Sequence, residues 1–204
     1  IPHAMNKAPD DWFDKFTDWF DKIAQHLERI AMLGGEPTHS PLFDPLTKHI
    51  SKRLSQDCHP NATVSIVSNL NWKPTVLDRI LEFRDELPAN VKLVIEVSME
   101  SFGSKAEYIR YGVDFEKFKT NFERIALHKN IDIIPVVTLN GLCISSLKEY
   151  LIFLKDVENK TDRKFNVLAN SIVFPKWLGI DILNSTFKHY LDRKSTRLNS
   201  SHVA

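Results

Sequence analysis

Short apolar runs alternate with helically spaced ones along almost the whole chain, and this alternation limits the possible folds more than any other feature. Ile30–Leu33, Thr63–Ser68, Val91–Ser98, Ile131–Leu139 and Phe165–Phe174 read as strands. Between them, apolar residues recur every three or four positions: Leu42, Leu46, Ile50 and Leu54; then Val76, Leu77, Ile80, Leu81 and Phe83; then Phe115, Phe118, Phe122 and Ile125. That spacing predicts helices over 41–55, 73–87, 114–129 and 144–157, with 99–113 as a long loop. Ahead of the first strand, Pro9–Leu27 reads as a helix with Trp12, Phe13, Phe16, Trp19, Phe20 and Ile23 on one broad apolar face, expected to be core. Strands and helices alternating at about thirty-residue intervals form the βαβ pattern of a parallel sheet. Five strands are too few for a closed eight-stranded barrel, so an open arc or partial barrel is the expected architecture.

Composition narrows the class without naming a function. At 204 residues, 43% hydrophobic and 26% charged, the chain suits one domain and the start of another. A net charge of +1 gives no general reason to expect nucleic acid or an anionic membrane as partner. No run is long enough to span a bilayer. Cys58 and Cys143 lie far apart and match no metal spacing, which fits structural thiols and a cytoplasmic setting. Residues 1–175 are expected to form the core domain and 176–191 the start of an extension, with Ile180–Tyr190 opening another helix. Residues 192–204 resemble the in-frame translation of a sequencing-library adapter and are excluded from the fold. Both ends are expected to be truncated.

The first predicted strand runs into Gly34-Gly35-Glu36-Pro37. Paired glycines let the chain take positive φ and let a ligand approach bare peptide groups. Pro37 removes one N–H, so the turn is expected to offer carbonyls, and Glu36 adds a carboxylate. That combination suits a cation such as an ammonium better than a phosphate. A P-loop would need Gly-Lys-Ser/Thr and a dinucleotide site three spaced glycines; neither is present. An ordinary strand-to-helix turn is the plain alternative.

Ligands of parallel α/β folds meet the loops at the carboxyl ends of strands. Polar residues gather there: Ser68-Asn69 after the second strand, Ser98-Met99-Glu100 after the third, and Thr138 and Asn140 after the fourth. Singly, each is ordinary turn chemistry. Together with the glycine turn they predict one pocket. Arg110, in Glu107-Tyr108-Ile109-Arg110-Tyr111-Gly112, has the surface as its plain alternative, the usual place of an arginine, and also carries the fork best suited to a carboxylate. Glu36, Ser98 and Arg110 are thus expected to converge on one small amphoteric molecule.

These residues resemble those of radical S-adenosylmethionine (radical SAM) enzymes. Gly34-Gly35-Glu36-Pro37 matches the family's GGEP motif. Ser68-Asn69, Val97-Ser98-Met99-Glu100, and Glu107–Gly112 followed by Asp114-Phe115-Glu116 and Asn121 resemble its twitch or SPASM branch. The resemblance runs from about Trp12 to Phe174. It implies a partial (β/α)6 barrel whose second to sixth strands are the visible ones. By the same resemblance Gly34, Gly35, Glu36 and Pro37 hold the SAM amino group, Ser98 and Glu100 line the ribose, and Arg110 faces the SAM carboxylate. Ser68, Asn69 and Thr138 are further cofactor contacts. A reduced 4Fe–4S cluster would split SAM into a 5′-deoxyadenosyl radical that takes hydrogen from a substrate, a peptide among the classes implied, with an electron donor as a further partner.

The family's CxxxCxxC cluster motif is not in this sequence. The chain is therefore expected to be a fragment lacking the first strand, unable to hold the cluster or perform the radical chemistry itself. The other readings are a non-enzymatic α/β binding module and an unrelated barrel enzyme. A phosphate-binding barrel would want basic residues or a donor nest at the rim, where this chain has Glu36, Glu100 and Arg110.

Overall fold

The computed structural model describes residues 11–180 and residue 183. The expectations for residues 1–10, for the helix beyond Ile180 and for the tail at 192–204 lie outside the described residues. Five strands form one sheet: β1 (Arg29–Met32), β2 (Thr63–Ser68), β3 (Lys92–Ser98), β4 (Ile131–Leu139) and β5 (Leu168–Ser171). They are hydrogen-bonded in the order β1-β2-β3-β4-β5. β1 pairs β2 in parallel from Arg29↔Thr63 to Met32↔Ile66, and β2 pairs β3 from Thr63↔Lys92 to Ser68↔Val97. β4 pairs β5 from Val136↔Leu168 to Leu139↔Ser171. An unbroken sequential order is that of a (β/α) barrel; a doubly wound sheet reverses its order at a switch point.

The helices are α1 (Trp12–Ile23), α2 (Phe43–Gln56), α3 (Pro74–Glu86), α4 (Ser104–Ile109), α5 (Phe115–Ala126) and α6 (Ile144–Thr161). Their starts follow from local chemistry. Pro74 opens α3 where its missing N–H is no loss, and Asp44 and Glu116 place carboxylates in the first turns of α2 and α5. α6 ends where Asp162 turns left-handed at φ 49°.

The chain divides into two compact units. Among the described residues, the first takes 11–97 and 116–134. Its core sets Val64, Ile66, Leu93 and Ile95 with Ile50, Leu54, Leu77, Ile80, Phe83, Phe118 and Phe122, all essentially inaccessible. Arg84, buried at the end of α3, donates to the carbonyls of Leu87, Pro88 and Val91 and so ties the turn that leads into β3. Burial holds its pKa below the usual arginine value, with Asp85 opposing. The second unit, 98–115 with 135–180 and 183, is built on Met99, Ala106, Phe115, Tyr150, Phe153, Leu154 and Val157. Phe102 meets Phe115 edge-on at 4.7 Å.

The structure departs from the expectations in the 99–113 loop, the fifth strand and the aromatic face of the first helix. The loop at 99–113 contains a short helix, α4, which six residues without a long apolar repeat do not announce. The fifth strand is four residues long rather than ten, and every one of them is exposed. Only one face of β4 is well buried: Ile131, Ile133, Pro135 and Val137 alternate with accessible Asp132 and half-buried Ile134, Val136 and Thr138. The aromatic face of α1 also differs from the core stripe expected. Phe20 alone is buried, while Trp12 is 39% and Trp19 53% exposed. The rings shield one another instead, with Trp12 stacked on Phe16 at 5.6 Å and Phe16 on Phe20 at 6.1 Å. Truncating Phe20 and Trp19 separately therefore has unequal effects. Phe20→Ala lowers the unfolding free energy by about 3 kcal/mol or more, Trp19→Ala by less than about 1 kcal/mol, measured by guanidinium denaturation.

Candidate functional site

In the first unit, β1 ends at Met32 and the chain enters the glycine turn with Leu33 exposed. Gly34 has φ 141°, which a side chain would strain. Gly35 has no such φ, and an added Cβ would meet nothing within 4 Å. Nothing in the fold itself therefore requires glycine at 35. Pro37–His39 form a 3-10 turn in which the Glu36 and Pro37 carbonyls accept from His39 and Ser40. Of the carbonyls the turn was expected to offer, those two are already used.

The Glu36 side chain reaches across to the loop after β2. Its carboxylate accepts from Thr38 Oγ1 at 2.8 Å, Ser68 Oγ at 2.9 and 3.0 Å, the Asn69 backbone N–H at 2.9 Å and Trp72 Nε1 at 3.4 Å. All these donors are neutral, and no cation pairs with Glu36 among the described residues. Hydrogen bonds of this kind occupy the carboxylate's lone pairs without supplying a counter-charge. The structure thus brings Glu36, Ser68 and Asn69 together, as the strand-tip positions suggest. The Asn69 side chain turns elsewhere, accepting from the Asn71 N–H.

That loop is held in an unusual shape. Leu70, fully buried, sits at φ 54°, a region costly for a branched side chain. Asn121 on α5 fixes it from outside by donating to the Leu70 and Trp72 carbonyls at 2.9 and 3.1 Å. Asn121 belongs to the motif noted in the sequence, where it had no assigned task. Thr38 and Trp72 carried no signal at all. The same is true of a second polar group on three adjacent strands: Arg29 of β1 donates to Ser65 of β2 at 3.4 Å and pairs with Glu96 of β3.

In the second unit, Glu100 and Arg110 meet. Glu100 is 4% exposed, and its two oxygens accept from Arg110 Nε at 3.0 Å each, with Nη2 at 2.6 Å from Oε2. Arg110 follows the last residue of α4, and Glu100 lies two residues past β3, so strand and helix together close the pair. Ser98 and Thr138 are half-buried at the ends of β3 and β4, with the Thr138 carbonyl taken by Asn140 Nδ2. Cys143 and Tyr150, both buried, feel the charge of Glu100. Burial pushes the Cys143 thiol up, helped by Glu100 and opposed by hydrogen bonds with Asn140. Burial and then the Glu100 charge push the Tyr150 phenol far up, with Arg110 opposing.

Among the described residues no group of three or more His, Cys, Asp or Glu side chains is placed to hold a metal ion. Cys143 is buried and Cys58 half-buried, each a free thiol. No described helix is long and apolar enough to cross a membrane.

Two measurements check these arrangements. Asn121→Ala strands two buried carbonyls and costs about 1–3 kcal/mol, with faster amide exchange around Leu70. The second concerns Tyr150, whose folded-state pKa is raised, so the native state keeps a proton that the unfolded chain loses at about pH 10. Stability therefore falls as pH rises through and beyond that value, and Tyr150→Phe flattens the fall in unfolding titrations between neutral and alkaline pH.

Compared with known proteins, the chain matches no family model, no curated protein and no solved structure.

Proposed function

We propose that this chain is part of a radical S-adenosylmethionine enzyme and that its Gly34–Pro37 turn receives the ammonium group of S-adenosylmethionine. One observation carries the reading: a half-buried carboxylate at the carboxyl end of a parallel strand is held by neutral donors alone. Its charge is fixed in place and left for a cation. The open space beside Gly35 adds to this, since the fold has no use of its own for a glycine there. The Gly34 and Gly35 carbonyls accept no backbone hydrogen bond among the described residues, so they are free to take N–H donors from the same ammonium. Resemblance of the GGEP turn, the Ser68-Asn69 and Ser98–Glu100 strand tips and the Arg110 loop to the family supplies the name of the ligand.

The described residues do not fit the 4Fe–4S cluster that reductive cleavage requires, because such clusters take clustered thiolates and this chain has two separate cysteines. The part assigned to this chain is therefore binding, with Glu36 as the anionic contact and Ser68, Asn69 and Trp72 orienting it. The reading brings with it an electron donor, a substrate for which a peptide is one class, and a cytoplasmic setting. A second reading, a non-enzymatic α/β scaffold module whose rim polar residues are ordinary turns, is favoured by the many intramolecular donors on Glu36, which would equally serve a purely structural turn.

Isothermal titration of the chain with S-adenosylmethionine separates the two. The first reading expects saturable binding that Glu36→Gln weakens about tenfold or more, the size of a lost charge-assisted contact. Absence of binding, or equal binding by the variant, would leave the structural turn as the better account.

A further inference from the structure

The resemblance makes both Glu100 and Arg110 ligand contacts, yet the geometry gives them unequal positions. Glu100 is the inner partner, with a side chain 5% exposed, while the Arg110 side chain is 28% exposed. The carboxylate is fully occupied by one edge of the guanidinium, through Nε and Nη2. Nη1 has no partner among the described residues, so the end-on edge of the fork is left for something else. An arginine locked in this way has lost its rotamer freedom before any ligand arrives, which favours binding by preorganisation.

Glu100 also cancels the charge of that guanidinium. Its other close titratable neighbours, Cys143 and Tyr150, are both held protonated near neutral pH and add no charge. A neutral pair attracts a dianion weakly, and a phosphate brought to the free edge would feel the carboxylate behind it. A singly charged carboxylate, above all one belonging to a zwitterion, needs only the two directed N–H bonds.

We propose that Glu100 is a positioning residue, fixing Arg110 and cancelling its charge so that the free guanidinium edge selects an amino-acid carboxylate over phosphate. The inference rests on the reading of Arg110 as a ligand contact and gives Glu100 a task other than touching ribose.

The test follows the Arg110 Nε–H resonance of the chain by nitrogen-15 NMR, with Arg110→Lys for assignment, during titration with L-methionine, S-adenosylmethionine and inorganic phosphate. In the unmodified chain methionine and S-adenosylmethionine shift the resonance and phosphate at equal concentration does not. Glu100→Gln frees a net positive charge, so phosphate affinity rises about tenfold and the preference for methionine is lost, whereas Glu100→Asp keeps it. A merely structural role would weaken all three probes alike. Equal response to methionine and phosphate in the unmodified chain, or an unchanged ratio in Glu100→Gln, overturns the proposal. Should Glu100→Gln fail to fold by circular dichroism, Arg110→Lys decides by isothermal titration with the same three probes: it keeps the charge but loses the fork, so methionine affinity falls about tenfold and the preference over phosphate is lost. Methionine retained at full affinity in Arg110→Lys overturns the proposal. A response to methionine without one to S-adenosylmethionine would sink the proposed function and leave this inference standing; S-adenosylmethionine binding with a silent Arg110 would do the reverse.

Discussion

A carboxylate taken half out of water must find donors, and the first unit arranges its loops around that need. Glu36 leaves the end of β1 and collects the Ser68 hydroxyl, the Asn69 N–H and the Trp72 indole, all from the loop that ends β2. Parallel pairing of β1 with β2 makes this possible, since it brings the carboxyl ends of consecutive strands to the same edge. The loop in turn accepts a strained Leu70 and a pair of carbonyls capped by Asn121 from α5. Remove the carboxylate and those donors face each other with nothing to receive them.

The second unit solves a similar problem with the opposite chemistry. Glu100 is more deeply buried than Glu36, and neutral donors would not be enough to hold its charge there. Arg110 supplies a counter-charge with matched geometry, which is the condition under which a buried pair is tolerated. One unit thus keeps an unneutralised carboxylate at its strand ends and the other a neutralised one. In the reading proposed above, that difference would separate a site for a cation from a site for a carboxylate.

Apolar surface is distributed less tidily than the polar chemistry. The aromatic rings of α1 stack on one another while Trp12 and Trp19 stay exposed, and β5 is a short, fully exposed strand. An amphipathic pattern says which residues prefer an apolar neighbour; it does not say that the fold has one to give.

Much of this was legible in the chain itself. Periodicity located all five strands and the long helices to within a few residues, because burial of one face dictates spacing whatever the partner. Glycine and carboxylate at the end of the first strand marked the Glu36 turn, although an ordinary strand-to-helix turn would read the same locally. The partners were not legible. Trp72 bonds to Glu36 from 36 residues further along, and Asn121 to the Trp72 carbonyl from another 49, distances over which only folding decides proximity. Nor could spacing tell that Arg110 would turn to Glu100, ten residues back, because a strand end and a helix end had first to be packed. Local preference and burial are written along one dimension and can be read there; the pairing of charges depends on which chain segments tertiary packing brings within three or so ångströms.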